Sequence, residues 1–452
     1  MKKVAKVLSL VLILVLMVGC FAACGKKDEA AQGKVLNIYC WNEEFKERVE
    51  KLYPGYTKDS SDSSKGKIGD VTVVWNITPN ANNAYQNALD EALRKQKDAK
   101  ADDKVDLFLI EADYALKYVE PSVSMSLADL GINVSKDLAN QYKYTQDVVT
   151  DSKGNLKGAS WQGCPAGLIY RTDIAEKVLG SSDVDKVQEA VKDWASFEAT
   201  AAKMKEAGYA MVAGFDDSFR VFSNNVTSAW VDADKNVVVD QRIWDWVDQT
   251  KRFTDNGYNL KDSLWGEGPW KQGFFMDGTT FCYFGPAWFI DFCMNCDQPK
   301  SVGEAGKWHI TVGPEGFFWG GTWVCAATGT DNSELVKDII LKMTADTDIL
   351  VKLAQTFSDF VNDKPAMEKL AADSSIGNKY LGGQNLYGVL AEGANKISIK
   401  YASAYDQGCN ENFQACMKEY FLGNATLDEA IEAFKVKIKT VYPDLKTDKI
   451  GR

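Results

Sequence analysis

The sequence is nearly devoid of histidine and lacks the motifs of common nucleotide and hydrolase sites. His309 is the single histidine in 452 residues, so a histidine-based catalytic triad or a multi-histidine metal site is nearly excluded. Neither a Gly-x-Ser-x-Gly elbow nor a Gly-Lys-Ser/Thr phosphate loop occurs. The sequence therefore predicts no cofactor, no metal site and no enzymatic activity. A glycosidase needs only two carboxylates, however, and 63 acidic residues supply many pairs.

Basic residues are also scarce relative to acidic ones. The chain has 52 Lys and Arg against 63 Asp and Glu, which gives a formal net charge of −11. Nucleic acid is a poor partner for such a chain, because its phosphates repel it. Beyond the N-terminus no apolar run is long enough to insert into a membrane, so any membrane attachment must come from a lipid.

The N-terminus predicts secretion. A positive segment opens the chain with Lys2, Lys3 and Lys6, and residues 7–18 are apolar apart from Ser9. That run suits a secretory signal and is too short for a permanent membrane span. Small residues precede both Cys20 and Cys24, which resembles the bacterial lipobox. We expect a signal peptide over residues 1–23 and lipidation of Cys24, with Cys20 as the alternative, followed by a flexible tether over residues 24–33.

Alternating strand and helix patterns follow the tether. Residues 35–39, 71–77 and 105–110 read as strands, with amphipathic helical patterns between them. This order predicts a parallel sheet in an α/β lobe. The stretch from Lys58 to Gly69, rich in Ser, Asp and Lys, predicts an exposed loop. Helices are also predicted from Trp194 to a stop at Gly208, before Gly257, and from a capping box at Thr426.

Polar and aromatic side chains follow the predicted parallel strands, where ligands bind in open α/β sheets. The groups are Trp41, Asn42, Glu43 and Glu44 after the first strand, Pro79 and Asn80 after the second, and Glu111 and Asp113 after the third. An aromatic ring covers the C–H face of a sugar, and amides and carboxylates bind its hydroxyls. Helix capping explains the same Asn and Glu residues equally well.

Tryptophan is abundant, with 13 residues, and several lie beside glycine or proline rather than on helical patterns. Loop tryptophans of this kind are Trp161, Trp265, Trp270, Trp288, Trp319 and Trp323. Glycine lets a flat ligand approach closely, so the set favours a stacking site. For any one of them, packing in the core is an equally good explanation.

Eight cysteines follow Cys24, and their pairing is left open by the sequence. Cys409 and Cys416 form a possible local disulfide. Cys293 and Cys296 have the spacing of metal ligands but lack a second matching pair, which argues against zinc. Cys40, Cys164, Cys282 and Cys325 lie among apolar residues and read as small buried side chains.

The chain resembles the extracellular solute-binding proteins of carbohydrate ABC importers, the class that includes the maltose-binding type. The resemblance rests on the lipobox and on the order and spacing of four later segments. These are the first strand running into Trp41-Asn42-Glu43, residues 193–198 opening a helix, residues 273–278 leading to Gly285-Pro286-Ala287-Trp288, and Gly320-Gly321-Thr322-Trp323 leading into a helix. It implies an α/β fold of two lobes, each a sheet flanked by helices, with the ligand in the cleft between them. The first lobe is expected to comprise residues 34–163 and 323–365, and the second residues 164–322 and 366–452.

The resemblance also implies which residues contact the sugar: Trp41, Glu43 or Glu44, Asp113, Trp161, Trp288 and Trp323, with Trp230 and Trp265 as further candidates. The implied function is a monomeric, lipid-anchored receptor on the outer face of the cell membrane. It would capture an oligosaccharide and deliver it to the transmembrane subunits of an ABC permease. Two alternatives stay open: a surface glycoside hydrolase or lyase, and the same receptor fold binding a peptide, an amine or an amino acid.

Overall fold

The structure, a computed structural model, describes residues 33–452. The predicted signal peptide, both candidate lipidation sites and the tether up to residue 32 lie outside the described residues. Within them, no helix is long and apolar enough to cross a membrane.

The described chain contains strands and helices in alternation along most of its length. The strands are β1 (Val35–Cys40), β2 (Tyr56–Lys58), β3 (Lys65–Ile68), β4 (Val71–Ile77), β5 (Leu107–Glu111), β6 (Ala159–Ser160), β7 (Pro165–Arg171), β8 (Val212–Gly214), β9 (Asn259–Asp262), β10 (Cys282–Pro286), β11 (Trp308–Thr311), β12 (Phe317–Phe318) and β13 (Thr322–Ala326).

The α-helices are α1 (Glu44–Leu52), α2 (Ala84–Lys95), α3 (Ala115–Val119), α4 (Val134–Asp137), α5 (Lys143–Asp147), α6 (Thr172–Leu179), α7 (Val184–Val191), α8 (Trp194–Glu206), α9 (Phe219–Asn224), α10 (Gln241–Asn256), α11 (Pro269–Gln272), α12 (Ala287–Phe292), α13 (Ser333–Ala345), α14 (Thr347–Phe357), α15 (Lys364–Ala371), α16 (Leu386–Ala394), α17 (Asp406–Leu422) and α18 (Leu427–Val441). Short 3-10 turns cover Ala81–Asn83, Ala101–Asp103, Ala112–Tyr114 and Lys379–Leu381.

The first lobe is built on a seven-stranded sheet in the order β2-β3-β4-β1-β5-β13-β6. Strand β1 pairs in parallel with β4 on one side and β5 on the other, which confirms the predicted parallel core. The expectation of a loop over residues 58–69 is wrong in part. Residues 65–68 form β3, antiparallel to both β2 and β4. An antiparallel strand can keep one face in solvent while its backbone pairs with both neighbours. A polar composition therefore does not prevent a strand here.

The second lobe has a smaller sheet, with β7 paired antiparallel to β10, β11 and β12. A parallel pair, β8 and β9, lies beside it. Helices α9, α10, α17 and α18 enclose a separate apolar cluster that contains Trp230, Trp246, Phe413 and Phe434. Mixed α/β architecture in two lobes is therefore confirmed.

The chain passes between the two sheets in three places. One passage is at residues 161–165, between β6 and β7, and a second is at residues 318–322, between β12 and β13. The third follows α14, where the amide of Asn362 donates to the carbonyl of Trp161 at 2.8 Å and that of Gly163 donates to the carbonyl of Phe360 at 2.9 Å. Cys164 lies in the first passage with a φ of +47°, an uncommon conformation for a residue with a side chain.

Several helices begin or end where the sequence predicts, and each of these ends has a local cap. Asp193 accepts from the amide of Ser196 at the start of α8, and Thr426 and Glu429 form a reciprocal capping box at the start of α18. Gly257 adopts a left-handed conformation with φ +69° after α10, where glycine avoids the steric cost of a Cβ atom. These local interactions fix where the helices begin and end.

Candidate functional site

A cavity of about 560 Å³ lies between the two lobes. The first lobe contributes residues 112–114, immediately after β5, and Val148. The second lobe contributes residues of α9 and α17, Trp230, and the segment 398–405. Its volume falls within the range of small-molecule sites. The position of residues 112–114 agrees with the rule that ligands bind beyond the carboxyl ends of parallel strands.

The cavity wall combines aromatic rings with amides, hydroxyls and charges. The aromatic members are Tyr114, Trp230, Phe318, Tyr401, Tyr405 and Tyr442, and the amide members are Asn224, Asn225, Gln407 and Asn410. Such a wall offers flat apolar surfaces beside paired hydrogen-bond donors and acceptors. Among the described residues, no group of three or more His, Cys, Asp and Glu side chains is placed to hold a metal ion.

Asp113 forms an ion pair across the cleft with Arg220 of α9. The guanidinium donates to both carboxylate oxygens, at 2.8 and 2.6 Å. Burial opposes ionisation of Asp113, but the charge and hydrogen bonds of Arg220 outweigh it and lower the pKa of Asp113. Burial, followed by the charge of Asp113, raises the pKa of nearby Glu111 to about 8. Arg220 therefore stabilises the ionised form of Asp113, whereas ionisation of Glu111 in the same cleft is disfavoured.

A cluster of tryptophans in the second lobe adjoins this ion pair. The guanidinium carbon of Arg220 lies 5.2 Å from the ring centroid of Trp319. The Trp319 ring in turn has its centroid 5.3 Å from that of Trp288 and 5.6 Å from that of Trp265. The indole of Trp288 donates to the carbonyl of Trp319 at 3.3 Å. Trp265 keeps 52% of its surface exposed, so the cluster presents an aromatic face to solvent.

Of the predicted contact residues, Asp113 and Trp230 line the cavity. Trp230 is 7% exposed, and its indole donates to Asn410 at 2.8 Å. Trp41 does not line the cavity itself. Its ring packs edge-to-face against Tyr85 and against Tyr114, which does line the cavity. Trp265 and Trp288 belong to the adjoining aromatic cluster. The structure thus gathers five of the candidates around the cleft, and their contact with a ligand stays a prediction.

Two predicted contact residues are core residues in this conformation. Trp161 has no exposed surface and stacks on Phe45 at a centroid distance of 5.0 Å. Trp323 is 2% exposed, and its indole donates to the carbonyl of Thr145 at 2.7 Å. Neither lines the cavity, and a ring without exposed surface offers no face for stacking. The assignment of these two as sugar contacts does not fit the structure.

The polar residues after β1 have local partners and do not line the cavity. Asn42 accepts from the amide of Glu44 at 3.1 Å and so helps to start α1. The side chain of Glu43 is 56% exposed and pairs with Lys46 at 2.7 Å. Glu44 accepts from the amide group of Gln162 at 2.7 Å and lies 3.2 Å from Arg48. Burial raises the pKa of Glu44 to about 7, against the opposing charge of Arg48. A ligand role for these three residues stays a prediction.

Sequence reasoning missed Arg220 and the segment 398–405. A signal for Arg220 existed, because it follows the carboxyl end of β8 just as Asp113 follows β5. No motif marks the segment 398–405, which includes the cavity residues Tyr401 and Tyr405. Its contribution depends on the path of the chain after α16. The disulfide that the sequence allowed between Cys409 and Cys416 is absent, and all eight cysteines of the described residues are free.

The fold and the interlobe cavity define a two-lobed solute-binding protein. The sequence model of the bacterial extracellular solute-binding protein family matches residues 57–376, well over half of the chain. The chain belongs to this family, a class of substrate-binding receptors. Among curated protein sequences, none matches the chain significantly.

Solved structures share the fold at low sequence identity. An extracellular solute-binding protein of family 1 has a TM-score of 0.73 at 17% identity, over 90% of this chain and 99% of that one. The ABC transporter associated binding protein from B. animalis subsp. lactis Bl-04, in complex with beta-1,6-galactobiose, has a TM-score of 0.63 at 18% identity, over 91% and 98%. The galacto-N-biose-/lacto-N-biose I-binding protein of the ABC transporter from Bifidobacterium longum, in complex with lacto-N-biose, has a TM-score of 0.64 at 12% identity, over 94% and 100%.

Proposed function

We propose that the chain is the substrate-binding component of an ABC importer and that its ligand is an oligosaccharide. The protein would work as a monomer that captures the sugar between its lobes and delivers it to the transmembrane subunits of the permease. The observation that carries the proposal is the interlobe cavity, in which aromatic rings alternate with amides and hydroxyls. Ligand contact with both lobes would favour the closed state through its greater affinity for that state.

Two further observations support a sugar ligand. Trp265 and Trp288, both partly exposed and packed on Trp319, offer stacking surfaces next to the Asp113 carboxylate and Arg220. The relatives from B. animalis and Bifidobacterium longum are described in complex with disaccharides. A chain of sugar units would reach from the cavity, past Arg220, to the partly exposed tryptophans.

An amine-bearing ligand is a second candidate, because two carboxylates of α17 near the cavity form no ion pair within the part of the chain that the structure describes. Asp406 lines the cavity and accepts hydrogen bonds from Ser403, and burial raises its pKa to about 6. Burial also raises the pKa of Glu411, on the same helix. An ammonium group bound beside them would favour their ionised forms.

Anchoring and location form a separate part of the proposal. The N-terminal resemblance to a lipobox supports lipidation of Cys24, or of Cys20 as the alternative, on the outer face of the cell membrane. Mass spectrometry of the protein isolated from membranes would test this. A diacylglyceryl-modified N-terminal peptide that begins at residue 24 or 20 would support it, and a soluble, unmodified protein would refute it.

Thermal unfolding of the domain from residue 33 onwards, against a panel of ligands, tests the receptor proposal. A ligand specific to the folded state adds about 2.7 kcal/mol at a hundredfold excess over its dissociation constant, and so raises the melting temperature. The panel should contain neutral oligosaccharides, amino sugars, polyamines, short peptides and amino acids. We expect a shift with one oligosaccharide series. A shift with amines alone would select the second candidate.

The same samples test the enzyme alternative. Each stabilising oligosaccharide is left with the protein and then analysed by chromatography for shorter products. We expect the sugar to be recovered intact. Cleavage that scales with protein concentration would establish a hydrolase or lyase and overturn the receptor proposal.

A further inference from the structure

The ion pair between Asp113 and Arg220 joins the two lobes directly. Asp113 follows β5 of the large sheet, whereas Arg220 lies on α9 of the second lobe. Both side chains line the cavity and are about one-third exposed, at 33% and 29%. Isolated exposed pairs contribute little, but a bidentate Arg–carboxylate pair with fixed geometry is the exception. Their contact spans the cleft, so we expect opening of the lobes to break it.

The packing of Arg220 fixes the geometry of that pair. Its guanidinium lies over the ring of Trp319, and Trp319 is only 7% exposed. The amide of Trp319 donates to the carbonyl of Cys164 at 3.1 Å. Arg220 is therefore packed on the second passage of the chain between the lobes, which is hydrogen-bonded to the first. An arginine held in this way loses little freedom when it binds a carboxylate.

The charges around Arg220 give it a second effect. Without Arg220, the Asp113 carboxylate of the first lobe would lie unpaired within electrostatic reach of the Asp406 and Glu411 carboxylates of the second. Burial, and then the charge of Asp113, disfavours ionisation of Glu411 and raises its pKa, while Arg220 opposes the shift. Like charges brought together in a partly buried cleft repel strongly. Arg220 reduces this repulsion between the lobes most directly, because it pairs with Asp113 itself, whereas Lys117 and Lys400 lie elsewhere in the cavity wall.

We propose that Arg220 is a positioning residue that holds Asp113 across the cleft and favours closure of the lobes before any ligand binds. This inference rests on the proposed function, and it makes a specific claim about an uncharged sugar. The affinity of the protein for an uncharged sugar should depend on ionic strength, because salt screens the Asp113–Arg220 pair that holds the lobes together. A ligand whose binding-competent state is already populated binds more tightly in proportion to that population.

The first test needs no ligand. Small-angle X-ray scattering measures the radius of gyration of the ligand-free protein at low and high sodium chloride. We expect the wild type to be compact at low salt and to expand as salt increases, and Arg220→Met to be expanded at both. Arg242→Met is the matched control, because Arg242 pairs with Glu315 within the second lobe. Equal radii for wild type and Arg220→Met at low salt would overturn the proposal.

The second test uses a neutral oligosaccharide found in the thermal panel. Isothermal titration gives its dissociation constant across the same salt range. We expect Arg220→Met to bind about tenfold more weakly at low salt and to lose the salt dependence that wild type and Arg242→Met retain. Arg220→Lys keeps the positive charge but loses the bidentate geometry, so its dissociation constant should lie between those of the wild type and Arg220→Met. Identical salt dependence in all four proteins would refute the role of Arg220.

The two tests separate this inference from the proposed function. If the radius of gyration responds to salt and to Arg220→Met but no sugar binds, the ion pair controls closure and the ligand class is wrong. If sugar binds and the radius does not respond, the receptor proposal stands and the inference fails. Should Arg220→Met fold poorly by circular dichroism, the salt response of the wild type and of Arg220→Lys still decides the matter.

Discussion

Arg48 on α1 and Asp359, 311 residues later in the chain, form a buried ion pair beside the passages between the lobes. The guanidinium donates to one carboxylate oxygen of Asp359 at 2.8 and 2.7 Å. The two side chains are 1% and 3% exposed. Arg48 also lies near Glu44, whose carboxylate accepts from Gln162 in the first passage. This network fixes the first and third passages relative to α1, and so supplies a rigid base for motion of the lobes.

Removal of one member of this pair should destabilise the protein strongly. We expect Arg48→Met to lower the free energy of unfolding by about 3–5 kcal/mol, because it leaves the Asp359 carboxylate buried without a partner. Chemical denaturation measures the loss. Arg94→Met removes an exposed pair with Glu91 on α2 and should leave the melting temperature almost unchanged. A similar effect of both substitutions would show that the buried pair has no special role.

Two tryptophans that both have glycine neighbours in the sequence should behave in opposite ways. We expect Trp323→Ala to cost about 3–5 kcal/mol of stability, because the buried ring leaves a cavity. Trp265→Ala should leave stability nearly unchanged and weaken binding of an oligosaccharide, because this half-exposed ring adjoins Trp319. Denaturation and titration calorimetry measure the two effects. Unchanged binding in Trp265→Ala would remove Trp265 from the site.

The stability of the protein should fall with rising pH through the titration of Glu111. The pKa of this carboxyl is raised from 4.5 to about 8 in the folded state, first by burial and then by Asp113. Between those values the folded protein holds a proton that the unfolded chain has lost. The contribution of Glu111 to the free energy of unfolding is fully present below its unfolded pKa of 4.5 and is lost as pH rises through its folded pKa of about 8.

Glu111→Gln isolates this contribution, because an amide has no proton to lose. Denaturation at pH 5 and at pH 8.5 should show the variant gaining stability relative to the wild type as pH rises. Other carboxyls titrate in both proteins and cancel in the comparison. A difference between wild type and variant that stays constant over this range would mean that Glu111 is not perturbed.

Gly321 should tolerate a side chain worse than another glycine of similar conformation. Its φ is +109°, and a Cβ atom there would lie 3.2 Å from the ring of Trp323. Gly423 after α17 has φ +77° and no atom within 4 Å of such a Cβ. We expect Gly423→Ala to cost about 1–2 kcal/mol from backbone strain alone. Gly321→Ala should cost at least about 1 kcal/mol more, because it also displaces a packed ring. Equal losses in denaturation would exclude the steric contribution.

Local signals in the sequence predicted much of the first lobe and several helix ends. The apolar run before Glu111 and the alternation of strand and helix patterns before it predicted the parallel core strands, which lie where expected. Asp193, Gly257 and Thr426 predicted helix ends correctly, because a cap acts on backbone groups within four residues. Strand β3 was missed, since its polar residues carry no hydrophobic pattern and its pairing comes from β2 and β4.

The site was predictable only in outline. The rule that ligands bind beyond the carboxyl ends of parallel strands led to Asp113, and the same rule applied to β8 leads to Arg220. Trp161 and Trp323 show where such reasoning stops. Both precede or follow glycine-rich passages as Trp265 and Trp288 do, yet both rings pack into the core. Trp323 lies in β13 rather than in a loop, and neighbouring glycines do not show which way either ring faces.

The sequence alone determined the α/β class and the resemblance to solute-binding receptors, because each depends on composition or on short-range spacing. Only the tertiary structure decided which residues meet across the cleft. Asp113 and Arg220 are 107 residues apart, and Arg48 and Asp359 are 311 apart. Their contacts depend on the summed orientation of every strand and helix between them. Small differences in the orientation of each element add up over that distance, so no local sequence pattern predicts the pairing.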